Sequence, residues 1–195
     1  MKQIYFRKTL LYDPRENGRY SLYKGYSKST LQVINLEILQ VANIRESIDP
    51  QVIYSSHLLR AKQTATLFKS TYGCTELIIL KDLAEVRFDL ETLVSKKEFD
   101  KEGSSLVRKR FIDAFITDSL LESREQIKNR VESVLSILEF SLDTIILLIS
   151  HSFFMKLFEV YLVHKDLFEK PDKLRKHFDY RIKTFPFGGG FSFQM

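Results

Sequence analysis

An α/β chain with a mainly parallel sheet between two layers of helices is the fold class the sequence predicts, and three observations predict it. Short apolar runs bounded by polar residues recur along the chain, and amphipathic helical stripes lie between them. One run, Thr144 to Ser150, reads TIILLIS, β-branched and apolar on both faces, as expected of a central parallel strand. Strands alternating with amphipathic helices imply crossover connections and a three-layer α/β/α sandwich.

Taken in order, the predicted strands are Gln3 to Phe6, Gln51 to Tyr54, Leu77 to Leu80 and Thr144 to Ser150. Phe191 to Phe193, after the turn Gly188-Gly189-Gly190, is a candidate edge strand. The first helical stripe is Leu31, Ile34, Ile38 and Val41, and the second is Leu58, Ala61, Ala65, Phe68 and Tyr72. Ile127, Val131, Val134 and Leu138 form a third, and Phe154, Leu157, Phe158 and Tyr161 a fourth. The stretch from about Val86 to Leu121 is charged and weakly periodic, and is expected to be a helical, lid-like insertion over the sheet edge. With no repeats and no Pro- or Ser-rich linker, residues 1–195 are expected to form one domain.

Composition narrows the function classes. Thirty basic and 25 acidic residues leave a net charge of +5, and these charges are not gathered into one stripe. Nucleic acid is therefore not an expected partner. At 44% apolar and 28% charged, the chain is not of disordered composition. A single cysteine, Cys74, supports neither an internal disulfide nor a zinc cluster. The opening MKQIYFRKTL lacks an apolar run of signal-peptide length, and no stretch approaches ~20 apolar residues. A soluble cytoplasmic protein without membrane contact is the expectation.

Open parallel sheets bind ligands beyond the carboxyl ends of their strands, which selects candidates before any motif does. Arg7, Lys8 and Thr9 close the first strand. Ser55, Ser56 and His57 follow the second and lead into a helix with Arg60 in its first turn. Asp82 and Glu85 follow the third, and His151 ends the TIILLIS strand. Two arginines, a lysine, a carboxylate and a histidine are thus expected at one edge, a set suited to phosphate: guanidinium forks and a helix N-terminus both favour its oxygens. Each has an ordinary reading as well. Arg60 alone could be a solvated surface residue, Glu85 a salt-bridge partner, and His151 a buried structural histidine. Their order and co-location carry the argument.

The segments IYFRKT, SSHLLRAKQTA (Ser55 to Ala65), LAEV and TIILLISH, in that order, resemble the histidine phosphatase superfamily, the phosphoglycerate mutase-like fold. The segment LLESREQIKNRVESVLSIL resembles the helix that precedes the last strand of that family. The resemblance is vague from Leu11 to Lys28 and from Val86 to Leu121. It implies that Arg7 and Arg60 bind phosphate, that Glu85 protonates the leaving group, and that His151 binds and orients the phosphoryl group. It implies no metal or organic cofactor. The departure is Lys8, at the position of the family's nucleophilic histidine, with Thr9 in place of the following glycine. Ser152 replaces a common glycine after His151.

Chemistry makes that departure matter. A neutral imidazole attacks phosphorus readily near pH 7, whereas stripping the proton from a lysine amine costs ~4 to 5 kcal/mol at that pH. Arg7 and Arg60 would favour the neutral amine, and a bound phosphate dianion would favour the ammonium. An alkylamine is also a poor leaving group from phosphorus. Lys8 is therefore expected to be a third phosphate-binding cation. His57, in the variable part of the second motif, has no evident in-line position. His164 and His177 are expected at the surface.

Three readings follow. The preferred one is a phosphate-binding pseudoenzyme with lost or much reduced phosphatase activity, whose partner is a phosphorylated small molecule or a phosphoprotein. The second is an active phosphomonoesterase or mutase-like enzyme of altered mechanism, using Lys8, His57 or water activated by Glu85. The third is an interaction module using the fold as scaffold, through the insertion or the basic segment Lys165 to Lys183. Retention of Arg7, Arg60, Glu85 and His151 argues against a pure scaffold.

Overall fold

A computed structural model of the chain describes residues 1–9, 48–182, 184–185 and 188–195. The predicted stripe Leu31 to Val41 and the segment Leu11 to Lys28 lie outside the described residues. In chain order the elements are β1 (Gln3–Lys8), β2 (Val52–Ser55), α1 (Leu59–Tyr72) and β3 (Glu76–Ile79). A 3-10 turn (Lys81–Leu83) leads to α2 (Leu90–Leu93), α3 (Lys96–Glu102), α4 (Ser104–Ile116) and α5 (Arg124–Phe140). The chain continues through β4 (Ile145–Ser150), α6 (Ser152–Val163), α7 (Lys173–His177) and β5 (Gly190–Gln194).

The five strands form one sheet in the order β3-β2-β4-β1-β5. The pairs β2–β3, β2–β4 and β1–β4 are parallel, and β5 alone runs antiparallel, against β1. As its composition predicts, β4 is central. Strand alternation sorts the core into two layers. Ile4, Phe6, Val52, Tyr54, Ile146 and Leu148 face the large cluster built with α4, α5 and α6. Ile53, Leu147 and Ile149 face the other side, where Ala61, Ala65 and Phe68 of α1 pack.

Helix starts follow local chemistry. Ser123 caps α5 in a capping box with Gln126, and Ser95 caps α3 with Glu98. α1 ends at Gly73, whose φ of 69° is the left-handed cap that glycine takes without strain. The edge strand depends on another glycine. A Cβ at Gly190 would stand 1.7 Å from the carbonyl oxygen of Phe6, so β5 can close on β1 only with no side chain there.

The insertion between β3 and α5 is helical, as predicted, and is also part of the main core. α4 buries Leu106, Val107, Phe111, Ile112, Ala114 and Phe115. Consecutive charges at Arg108, Lys109 and Arg110 on its other face hide this spacing in the sequence. Phe111 stacks on Phe153 with ring centroids 4.0 Å apart, which ties the insertion to the start of α6.

Candidate active site

The parallel register brings the strand ends level. Lys8 pairs with Ser150 and Ser55 with Ile149. The amides just past those ends continue the ladder, Thr9 donating to the Ser150 carbonyl (3.0 Å) and Ser56 to that of Ile149 (3.0 Å). This carboxyl edge is where the predicted residues gather.

His151 follows β4 directly and is the residue from which α6 starts, only 2% exposed. Its Nδ1 accepts a hydrogen bond from Arg60 Nε at 3.1 Å. A guanidinium can only donate, so the imidazole proton lies on Nε2, which then donates to Ser56 Oγ at 3.0 Å. Burial holds the His151 pKa well below the usual imidazole value, reinforced by the positive charges of Arg60, Arg130, His57 and Lys8. The ring is neutral at pH 7.

Arg60 is the second residue of α1 and is half-buried. Burial lowers its pKa, and the nearby Glu85 carboxylate opposes that shift. Glu85 accepts from three main-chain amides: Val86 (3.1 Å), Phe153 (3.3 Å) and Phe154 (2.9 Å). The last two belong to the first turn of α6, whose N-terminal partial charge favours a carboxylate. Burial outweighs these contacts and raises the Glu85 pKa, while the Phe154 amide and Arg60 act in the opposite direction. A carboxyl held this way can release or take up a proton closer to neutrality than an exposed glutamate.

The two cations of β1 part company because strand residues alternate. Lys8 shares the face of Ile4 and Phe6, is 8% exposed, and donates from Nζ to the Phe185 carbonyl at 3.3 Å. Arg7 shares the face of Tyr5, its guanidinium 5.6 Å from that ring's centroid. The structure thus joins Arg60 to His151 directly, puts Glu85 in electrostatic reach of Arg60, and puts Lys8 in electrostatic reach of His151. His57 is exposed beside them. His164 and His177 stack on one another at 4.4 Å. They lie past the far end of α6, whose 12 residues set them ~18 Å from His151. His177 is exposed, as predicted, and His164 is half-buried.

Two contributors were not singled out by sequence reasoning. Ser56, the second serine of SSHLLR, is fully buried and orients His151. The Phe185 carbonyl engages Lys8 from a segment distant in sequence. A hydroxyl directly past a strand end was a signal for the first, and a backbone carbonyl leaves no signal at all. Among the described residues, no three His, Cys, Asp or Glu side chains gather as metal ligands. The cations and the N-terminus of α1 make the edge suited to an oxyanion, with the Glu85 carboxyl beside it.

The buried neutral His151 has a consequence for stability. Its folded pKa lies below the unfolded value of about 6.5, so on acidification the unfolded chain takes up a proton that the folded chain refuses. Stability should fall below about pH 6.5 by up to ~1.4 kcal/mol per pH unit from this group. Glu85 works the other way, because its raised folded pKa makes the folded chain the better proton acceptor as the pH falls. Urea unfolding between about pH 7 and about pH 5 should show a shallower acid loss for His151→Gln than for the natural protein. Identical slopes would exclude the buried neutral imidazole.

The model of the histidine phosphatase superfamily (branch 1) matches residues 37–174. The chain belongs to that superfamily. No sequence among the curated proteins matches it. Solved structures of the same fold include the native mycobacterial glucosyl-3-phosphoglycerate phosphatase, at 15% identity and a TM-score of 0.62, covering 96% of this chain and 88% of that one. A phosphoglycerate mutase from Bacillus anthracis matches at 16% identity and a TM-score of 0.55, over 85% and 81% of the two chains. A phosphoserine phosphatase mutant from Entamoeba histolytica, in complex with phosphoserine, matches at 18% and 0.52, over 87% and 85%. At these identities the likeness is one of fold. Within this superfamily member, the residues of the carboxyl edge supply the argument about chemistry. Lys8 precedes the matched region.

Proposed function

We propose that this superfamily member binds a phosphorylated ligand at Arg60, His151 and Lys8, with Arg7 on the same strand end, and that its phosphatase turnover is lost or much reduced. The partner is a phosphorylated small molecule or a phosphoprotein, and a cytoplasmic setting belongs to the same proposal. Among the described residues no helix is long and apolar enough to cross a membrane. The observation that carries the reading is the 3.1 Å contact between Arg60 and His151 at the sheet's carboxyl edge. It sets a permanent cation beside a neutral, hydrogen-bonded imidazole, and the guanidinium supplies the charge that attracts an oxyanion. The names of the similar structures, a glucosyl-3-phosphoglycerate phosphatase and a phosphoserine phosphatase, accord with a phosphate ester as ligand. Loss of turnover follows from the amine at position 8, which is a poor nucleophile while protonated and a poor leaving group once phosphorylated.

A second reading keeps the protein active by another route, and the buried Glu85 carboxyl favours it, because an acid with a raised pKa has little use in a pure binding site. Two measurements separate these readings. Titration calorimetry with inorganic phosphate or vanadate should show binding that Arg60→Ala weakens by ~1.5 to 3 kcal/mol, the range for a charged hydrogen bond. Equal affinities would refute the site. Turnover of a generic aryl phosphate at enzyme-like rates by the natural protein would favour the second reading.

A further inference from the structure

Glu85 lies on an irregular segment between the 3-10 turn and α2, yet that segment is gripped on both sides. Arg130, in the middle of α5, donates from NH1 to both carboxylate oxygens of Glu122, at 2.7 and 2.8 Å. Its Nε and NH2 donate to the Asp82 carbonyl, at 3.2 and 3.0 Å, and NH2 also reaches the Ala84 carbonyl. Glu122 Oε2 in turn accepts from the Arg87 amide at 3.0 Å. One ion pair therefore holds the chain just before residue 85 through its cation and just after it through its anion. The Arg130 guanidinium also lies 4.6 Å from the ring centroid of Phe154, the residue whose amide binds the Glu85 carboxylate most closely.

We propose that the Glu122–Arg130 pair is a positioning device that sets the Glu85 carboxylate against the first turn of α6. The inference rests on the reading of Glu85 as the acid of the site. A packing role alone does not explain the arrangement. Burying an ion pair gains little over apolar residues of similar volume, and Glu122 is only 3% exposed. What the pair adds is direction: a rigid fork that binds a carboxylate and two carbonyls at once, which an ammonium cannot reproduce. Two hydroxyls complete the hold. Ser133 Oγ donates to Asp82 Oδ2 at 2.7 Å, and Ser150 Oγ donates to the Leu83 carbonyl at 2.7 Å.

Arg130→Lys tests this, because it keeps the charge and removes the fork. The readouts are the 13C titration of the Glu85 carboxyl, assigned with Glu85→Gln, and amide hydrogen exchange at Phe153 and Phe154. Arg60 is the charge that faces Glu85, and it is untouched by the substitution. In Arg130→Lys the Glu85 midpoint should fall back toward the ordinary carboxylate range. The two amides should exchange at least about tenfold faster, while those of Ala65 and Phe68 on the opposite layer keep their rates. An unchanged Glu85 titration, or exchange raised equally in both layers, would overturn the proposal. Should Arg130→Lys not fold, Glu122→Gln decides by the same readouts, since it keeps an acceptor for Arg87 and loses the ionic hold. Sulfate calorimetry on the natural protein runs alongside. Absent sulfate binding with a moved Glu85 titration would defeat the phosphate reading and leave the positioning role standing.

Discussion

Replacing Lys8 with histidine and Thr9 with glycine should create phosphatase activity where the natural protein has little or none. The expected effect is large because the substitution changes the nucleophile and leaves the surrounding groups in place. An imidazole is largely neutral near pH 7 and leaves phosphorus easily, whereas a lysine amine must first lose a proton at ~4 to 5 kcal/mol, a factor of roughly 10³ in rate. Arg60 and His151 already stand together at the edge, and Glu85, the acid of the proposed function, sits beside Arg60, where it would protonate a departing alkoxide. Position 8 lies at the end of β1, level with Ser150, one residue before His151. Acid-labile phosphate trapped on residue 8 during turnover of an aryl phosphate is the decisive product. Should the natural protein turn over and Lys8→His slow it, Lys8 has a catalytic role of its own. Should neither protein turn over while phosphate still binds, the site is a binding pocket whose acid is misplaced.

Phe158→Ala should cost about 3 to 5 kcal/mol of stability, as expected for removal of a fully buried aromatic ring. The ring meets Phe6 edge-on at 5.1 Å and also contacts Phe154 at 6.2 Å and Phe193 at 5.9 Å. It therefore joins α6 to β1 and β5 together. Against a usual domain stability of ~5 to 15 kcal/mol, such a loss is a large fraction of the whole. The urea midpoint should drop with little change in slope, and phosphate affinity should suffer as well, because Phe6 lies two residues before Lys8 on the same strand face. A loss below ~1 kcal/mol would mean that the aromatic layer repacks freely around the cavity.

Much of this arrangement was legible because it rests on short-range periodicity. β4 reads as central from its unbroken apolar run, and α5 from Ile127, Val131, Val134 and Leu138, all of which are buried. Arg60 and His151 were placed at one edge by the rule for parallel sheets, and their hydrogen bond agrees with that placement. α4 was harder, since Arg108, Lys109 and Arg110, on its other face, break up in the sequence the spacing of an apolar face that is packed. The opposite departures of Arg7 and Lys8 follow from the two-residue period of a strand, which motif order does not express. The hold on Glu85 was out of reach, because it runs through carbonyls and amides that every residue carries. Ser56 did leave a signal, a hydroxyl directly past a strand end, but that hydroxyl gains its meaning only once His151 is seated against it.

The order of the sheet also constrains how the molecule comes into being. Among the described strands, β1 borders only β4 and β5, so Gln3 finds its partners at Ile145 and Gln194. The first strand is thus made long before anything it can pair with, and its Ile4 and Phe6 must wait through most of the chain. Closing loops of that length carries an entropic cost that local helices such as α5 do not face, so folding should be slow for the size of the chain. β2 and β3, close in sequence, can pair early and form a platform for α1. Lys8 and His151, by contrast, become neighbours only when β1 docks against β4. The carboxyl edge of the sheet is then among the last parts of the molecule to assemble, and affinity for the proposed phosphate ligand appearing after helix formation in a refolding experiment would report that final step.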